Sequence, residues 1–593
     1  MMKDNTPKNT SGMAKLFKSF GKYRTPFVIS IVLLVVSVIF TIVAPNQVQN
    51  ITNLLQEGAQ NIAKGTGSMD LGAIGKIGLL VALFHIISFA AGAISGIVLN
   101  TAIQKYSRDL REAIIAKINR LPLAYFNERP IGDILSIVTN DVDTLGTSLQ
   151  NCVSMLIQSG LLLVGVVVAM FLSSPPMAVV VLISLPFIIV VLAITIKFAL
   201  PLFDKTQRTL GEVNAIVEEN FAGQLVIKVF NAEALKGKPF YERNTALGKA
   251  LYLSQLLGGI IQPLMTFISN ATYAAILIVG GVLVVNGTIT FGTVTAFLVY
   301  VSLFQEPLSQ IGQASNTLQL ATASSNRIFE FIDADEMSDE SAKPQYLTID
   351  KIQGEVDFKD ICFGYRPNEL FVKHFTKTIK PGMKVAVVGP TGAGKSTLVN
   401  LLMRFYELNS GDIKVDGVSI QDMSRAEVRS YFGMILQETW VMNGTLRENL
   451  VYNLEGIEDD RIYEVLAQTG LEHYVETLPK KLDSEITQSS LSSGQQQLVT
   501  IARAMLENAP MMILDEATSN VDTRTELLIS EALDKLMAGR TSFVIAHRLS
   551  TIRNADLILV MKDGDIVETG THDSLMAEGG LYSEIYNAQF ANS

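Results

Sequence analysis

A glycine-rich run, Gly389-Pro390-Thr391-Gly392-Ala393-Gly394-Lys395-Ser396-Thr397, follows the apolar residues 385–388 and precedes an apolar stretch, 398–406. The spacing Gly-x-x-x-x-Gly-Lys-Ser between a strand and a helix is that of a phosphate-binding loop. Glycines let backbone amides converge on phosphate oxygens, Lys395 neutralises the terminal phosphates, and Ser396 offers a hydroxyl to magnesium. A glycine-rich turn with an idle lysine is the bland alternative, and a second motif weighs against it. Residues 511–514 form an apolar strand that ends in Asp515 and Glu516. There Asp515 would serve the metal, and Glu516 would act as general base on the attacking water. Together the two motifs predict cleavage of a nucleoside triphosphate.

These motifs fill only the second half of a 593-residue chain. That length exceeds one domain at about 100–200 residues per folding unit. With 48% hydrophobic and 18% charged residues, and a mean hydropathy of +0.32, an ordinary soluble enzyme is not expected and disorder is excluded. The net charge of −10 argues against nucleic acid as partner. Cys152 and Cys362 sit in segments of very different polarity, which predicts neither a disulfide framework nor a metal cluster.

The apolar residues concentrate before residue 320, in stretches without Asp, Glu, Lys or Arg. Residues 25–56 give one crossing whose apolar part closes at Pro45, and 77–104, interrupted by His85, a second. Residues 144–196 are broken by Ser173-Ser174-Pro175-Pro176 and 250–305 by Asn286-Gly287, so each reads as a hairpin of two spans. Six crossings result. Lys and Arg cluster before the first span, after the second and after the fourth, which places both termini in the cytoplasm and the chain in the cell membrane. The two long basic connections keep helical periodicity and are expected to be helices running on past the bilayer. Residues 12–23 read as an amphipathic helix on the inner surface. The expected organisation is therefore an N-terminal segment, 1–24; an all-α six-helix transmembrane domain, 25–330; an acidic linker, 331–352; and an α/β phosphate-loop domain, 353–593. Glu306 and His85, ionisable groups in or beside spans, are expected to face the bundle interior or a wet cavity, where Glu306 would touch a cationic substrate; the alternative for Glu306 is a place low in its span near the inner interface, snorkelling or pairing. Trp440, the only tryptophan, is expected to pack near the membrane helices.

Between the two phosphate motifs stands Leu491-Ser492-Ser493-Gly494-Gln495, and here the chain resembles an ABC exporter half-transporter over nearly its whole length. Further matches follow in order: Tyr365, Gln437 within 435–438, 519–522 ending in Asp522, and His547 within 545–548. In the membrane half, Leu121-Pro122, Tyr125-Phe126, Gly132-Asp133 and Asn140-Asp141-Val142 resemble the first cytoplasmic loop of such exporters. The resemblance implies that ATP and Mg2+ are bound and that Tyr365 stacks on adenine. It implies that Gln437 reaches magnesium and the transmembrane domain, that the loop of Asp522 crosses a dimer interface, and that His547 contacts the γ-phosphate, completing catalysis with Lys395 and Glu516. Ser492, Gly494 and Gln495 would close on the ATP held by the other subunit. Regions 129–134 and 220–223 would carry closure of the nucleotide domains to the bundle.

Two departures bear on assembly. Ser493 replaces the first glycine of the family signature Leu-Ser-Gly-Gly-Gln, and Gln497 lies where arginine is usual. The preceding residues, 487–490, lack the usual Gly-Glu-x-Gly and look shortened. Since the catalytic residues match, the asymmetry implies a heterodimer in which this chain supplies the intact carboxylate and a different half-transporter, with a degenerate one, supplies the other site. A homodimer with a tolerated serine, or a lipid flippase, is the alternative; an ATP-gated regulator is a non-transport one. Export of an amphipathic or hydrophobic substrate (drug-like, lipid or peptide) is expected, and the absence of a peptidase-like extension before the first span makes a leader-peptide exporter less expected.

Overall fold

The computed structural model describes residues 12–366, 369–515, 522–545 and 552–590. They form two compact units, one of residues 1–119 and 131–334, the other of 120–130 and 335–593.

The charge-free stretches become helices because, in hydrocarbon, every backbone donor and acceptor must be satisfied within its own segment. In chain order they are α1 (Gly12–Ser19), α2 (Arg24–Ala63), α3 (Leu71–Ile118), α4 (Leu123–Asn127), α5 (Ile131–Ser136), α6 (Val142–Ser173), α7 (Pro175–Ala222), α8 (Gln224–Val229), α9 (Glu233–Val285) and α10 (Phe291–Ile332). Each predicted crossing corresponds to one long helix. Among the described residues five helices are long and apolar enough to span a bilayer, and Pro175–Val191 opens a shorter apolar stretch in α7. With 40 residues in α2, 48 in α3 and α7 and 53 in α9, these helices far exceed the roughly 20 residues a bilayer needs. The long basic connections are thus helical extensions, as their periodicity implied. Ser174 and Pro175 break the third stretch where expected, and Gly287, at φ +68°, turns the fourth.

Pro45 closes the apolar part of the first stretch but not its helix. It lies inside α2, which continues to Ala63. Polar groups on a neighbouring helix stabilise the continued turn: Tyr300 of α10 donates to Asn46 Oδ1 at 2.8 Å. Helices α2 and α3 are joined by buried hydroxyls, with Ser30 and Ser95 at 2.7 Å, Ser37 and Ser88 at 3.1 Å and Thr41 and Ser88 at 2.8 Å. Small polar residues let two backbones approach and bond where lipid tails offer no partner. The bundle core between α6, α7, α9 and α10 is built on Val166, Met170, Met177, Ile276, Phe297 and Tyr300. Helix α1 buries Leu16, and Lys15 pairs with Asp333 at the end of α10.

Among its described residues the second unit holds twelve strands: β1 (Val356–Phe363), β2 (Val372–Ile379), β3 (Lys384–Val388), β4 (Ser410–Val415), β5 (Val418–Ser419), β6 (Phe432–Ile435), β7 (Gly444–Thr445), β8 (Glu485–Ile486), β9 (Met511–Asp515), β10 (Thr541–Ile545), β11 (Leu557–Lys562) and β12 (Asp565–Gly570). Six form a sheet in the order β12-β11-β3-β10-β9-β6, parallel except for β12 at the edge. Its strands are continuous apolar runs because helices and a second sheet cover both faces. The second sheet, β2-β1-β4-β5, is antiparallel and shares a core with the first through Phe358, Phe375, Ile513 and Phe543.

The residues read as a linker are in part a docked strap. The Glu340 carboxylate is buried against Arg404 at 2.6 Å and Arg425 at 3.5 Å, and accepts from Lys343 at 3.0 Å. Composition alone marked these residues as an acidic linker between domains. Burial instead draws the acidic residue in, because two arginines from the strand-connecting segments wait there for a counter-charge.

Candidate functional site

Ligands of open parallel sheets gather at the carboxyl ends of the strands. Here the register brings four ends level: Val387 of β3 pairs with Ile545, Ile545 with Asp515 and Leu514 with Ile435. The residues immediately after those strands are the glycine-rich loop, 516–521, 546–551 and the Gln437 segment. Glu516 and His547 lie outside the described residues.

The loop folds as its glycines require. Gly392 and Gly394 take φ of +85° and +100°, a region costly to any side chain, and a Cβ on Gly394 would meet the Phe371 ring at 2.5 Å. Residue 389 must also be glycine, since a Cβ there would lie 2.3 Å from the Met561 carbonyl. Pro390, Thr391 and Ala393 complete the turn, and α11 (Lys395–Leu402) starts at once, with Ser396 exposed in its first turn and Thr397 buried. Lys395 curls back into its own loop and donates to the carbonyls of Gly389 at 2.8 Å and Pro390 at 3.1 Å. Burial pushes its ammonium below the usual lysine range, and the charge of Asp515 opposes that shift. Asp515, last in β9, is therefore within electrostatic reach of the lysine that would face the phosphates.

Ser396, Asp515 and the exposed Gln437 offer a hydroxyl, a carboxylate and an amide, hard oxygen donors that suit Mg2+. Among the described residues no group of three or more His, Cys, Asp or Glu is placed to hold a metal. Magnesium would share its coordination with phosphate oxygens, as the donor set fits.

Tyr365 stands 51% exposed within a cluster of rings: centroids lie 4.9 Å from Phe363, 5.2 Å from Tyr406 and 6.1 Å from Phe371. Its hydroxyl bonds Thr397 Oγ1 at 2.8 Å, which fixes the ring beside the phosphate loop. Replacing it tests the adenine role. Tyr365→Ala is expected to raise the Kd for ATP about tenfold by removing a stacking surface worth roughly 1–3 kcal/mol, whereas Tyr365→Phe keeps it. Equilibrium binding of a fluorescent ATP analogue checks this; equal loss in both variants would assign the effect to the hydroxyl instead.

Ser492 caps the helix Ser493–Glu507 in a reciprocal box with Gln495: Gln495 N donates to Ser492 Oγ at 3.3 Å and Ser492 N to Gln495 Oε1 at 3.0 Å. Gly494 is buried in the first turn and Ser493 exposed beside it. Gln497, in place of the usual arginine, is 7% exposed. Asp522 caps the helix Thr523–Met537, accepting from the amides of Arg524 and Thr525 at 3.1 Å each; the bonds from Thr525 and Arg524 hold its carboxyl below the usual range. Trp440 is exposed and meets Tyr452 edge to face, and His85 lies exposed on α3.

Two connections escaped the sequence. Helix α4, from the loop between α3 and α6, belongs to the second unit, where Asn127 Nδ2 donates to the Tyr406 hydroxyl at 2.5 Å. Beside it, the Arg129 guanidinium lies 4.0 Å over the Tyr125 ring. A three-part contact thus runs from Tyr365 through Tyr406 to Asn127. No pattern marked Tyr406, because its partners are far away in sequence. Likewise, the apparently shortened segment before Ser492 folds as a turn in which Gln488 holds the Gln437 loop: its Oε1 accepts from Val441 N at 2.8 Å and its Nε2 donates to Thr439 O at 2.9 Å.

Comparison with known proteins accords with this geometry. Residues 27–308 match the ABC transporter transmembrane region and residues 372–519 the ABC transporter domain. The chain is 40% identical over 531 residues to a fatty acid ABC transporter ATP-binding/permease protein of Mycobacterium bovis, covering 89% of this chain and 83% of that one. It is 33% identical to an ATP-dependent lipid A-core flippase of Syntrophus aciditrophicus, covering 87% and 85%. A bacterial Atm1-family ABC exporter with ATP bound shares the fold, with a TM-score of 0.73 at 24% identity over 96% of this chain and 98% of that one.

Proposed function

Because this chain belongs to the ABC transporter family, as an exporter-type protein with transmembrane region and ATP-binding domain on one polypeptide, we propose that it expels an amphipathic or lipid-like substrate from the cytoplasm by alternating access. It is a multi-pass membrane protein that binds and hydrolyses ATP and couples hydrolysis to transport. The observation that carries the reading is the contact chain from Tyr365 through Tyr406 to Asn127. A ring beside the phosphate loop is one side chain away from a short helix in the connection between α3 and α6. ATP would close two nucleotide domains over Lys395, Ser396, Asp515 and Gln437 of one chain and Ser492, Gly494 and Gln495 of the other. Magnesium, when bound, balances the phosphate charge. Glu516 orients the water, His547 and Lys395 hold the γ-phosphate, and catalysis comes chiefly from positioning and charge. Both termini lie in the cytoplasm.

A second chain is required, since each ATP is shared between two subunits. The exposed apolar side chains Phe221, Leu225, Val226, Val229 and Phe230, around α8 and beside Lys228, need cover of this kind. Given the altered signature, we favour a different half-transporter with a degenerate carboxylate as that partner. One observation favours a homodimer: the Ser492–Gln495 box closes normally, so Ser493 still stands in the first helical turn with its backbone amide. Purification of the chain expressed alone and with candidate partners decides between them. The heterodimer reading expects full ATPase activity only in the mixed assembly; full activity of the lone chain overturns it.

The pump itself is tested in sealed vesicles. A labelled amphiphile is expected to move across the bilayer only with ATP and magnesium. Robust ATP hydrolysis without movement of any amphiphile would point to the gated regulator instead.

A further inference from the structure

In the membrane unit, α7, α9 and α10 enclose a cavity of about 340 Å3. Its wall is polar where a spanning surface is ordinarily apolar. Gln262, Thr266, Ser269 and Asn270 come from α9, with Gln262, Thr266 and Ser269 recurring at helical spacing on one face; Gln305 and Glu306 come from α10. Ile188 and Met265 supply an apolar side. Beside it the Tyr273 hydroxyl bonds Ser302 at 2.6 Å, joining α9 to α10.

Two groups in this wall are left without adequate partners. Among the described residues the enclosed Gln305 amide nitrogen has no hydrogen-bond partner, which is costly for a donor removed from water. Glu306 lies in the span Phe291–Leu308 and, among the described residues, accepts from the Gln310 amide alone, at 3.2 Å. It is also the one charged residue in the whole stretch 250–326, and the cavity lining holds no lysine or arginine among the described residues. A lone carboxylate at membrane depth needs a wet cavity or a cation.

We propose that this cavity binds the positively charged head of an amphipathic organic cation, with Glu306 as counter-ion and the Gln305 amide donating to a polar oxygen near that charge. The apolar body then lies along Ile188 and Met265. The proposal rests on the transport reading above and narrows its substrate class. It separates this chain from the relative named as a fatty acid transporter, because a fatty acid carboxylate would meet Glu306 as a like charge.

The test uses the purified transporter in lipid nanodiscs without nucleotide. The probes are rhodamine 6G, a fluorescent lipophilic cation with an ester carbonyl, and tritiated oleate. Rhodamine 6G is expected to bind saturably, about tenfold more weakly to Glu306→Gln, with partial recovery in Glu306→Asp. Asn270→Lys, which brings an ammonium into the cavity, is expected to exclude it. Oleate binding should be weaker than that of the cation in the native chain and should not weaken in Glu306→Gln. Thermal midpoints of the variants establish that they fold. Absence of saturable rhodamine binding, equal affinity in Glu306→Gln, or a preference for oleate overturns the proposal. Because binding is read without ATP, failure of the pump in vesicles with rhodamine binding intact would sink the transport reading alone.

Discussion

Glu516→Gln is expected to leave ATP binding intact while slowing hydrolysis by at least about a hundredfold, the lower range for loss of a positioned general base. The replacement keeps the shape and the hydrogen-bonding reach of the side chain but removes its capacity to take a proton. Asp515, Lys395 and the loop amides remain, so the nucleotide should still be held. The measurements are phosphate release from the purified assembly and equilibrium binding of a fluorescent ATP analogue. Undiminished phosphate release would remove Glu516 from the role assigned; loss of binding as well would mean that the side chain holds the nucleotide rather than activating water. In a mixed dimer the same substitution carries further information, because a partner with a degenerate carboxylate leaves no second hydrolytic site to mask the loss.

The largest expected effect on stability lies far from the phosphates, at Glu340. Removing its charge in Glu340→Gln strands Arg404 and Arg425, whose side chains are only 6% and 15% exposed. Breaking one side of a buried ion cluster typically costs about 3–5 kcal/mol. The nucleotide-domain transition of the full-length protein should then melt roughly 10 °C lower, at about 2–4 °C per kcal/mol for a domain of this size. Burial pushes the Glu340 carboxyl up, but the Arg425 amide, Lys343 and Arg404 outweigh it, and the group ends below the usual glutamate range. Its stabilisation is therefore complete above the unfolded value of about 4.3 and is lost as the pH falls through the lower folded value. The native chain should lose stability across that acid window more steeply than Glu340→Gln. An unchanged midpoint in the variant would show that the arginines are satisfied by Glu407 and by backbone carbonyls alone.

How much of this was readable beforehand differs by kind of residue. Elements whose role is carried by local spacing were legible: the glycines at 389, 392 and 394 demand a turn no side chain allows, and the breaks at Ser174-Pro175 and Asn286-Gly287 fall where proline and glycine end a helix. What carries α2 past Pro45 was not legible, because a proline inside a membrane helix is tolerated once a neighbour supplies polar contacts, and Tyr300 is 255 positions away by the difference of the two residue numbers. The docking of the acidic strap was not legible for the same reason, since Arg404 and Arg425 are separated from Glu340 by several strands.

The sequence by itself determined the two halves, the helical stretches and the phosphate chemistry, because hydrophobicity over a span and short motifs act through bonds between near neighbours. Only the tertiary structure placed the strand ends level, set Tyr365 against Thr397 and Tyr406, brought Asn127 into the second unit and left Glu306 facing a cavity with no basic side chain among the described residues of its lining. Those arrangements depend on which distant side chains burial forces together, and no local pattern encodes that choice.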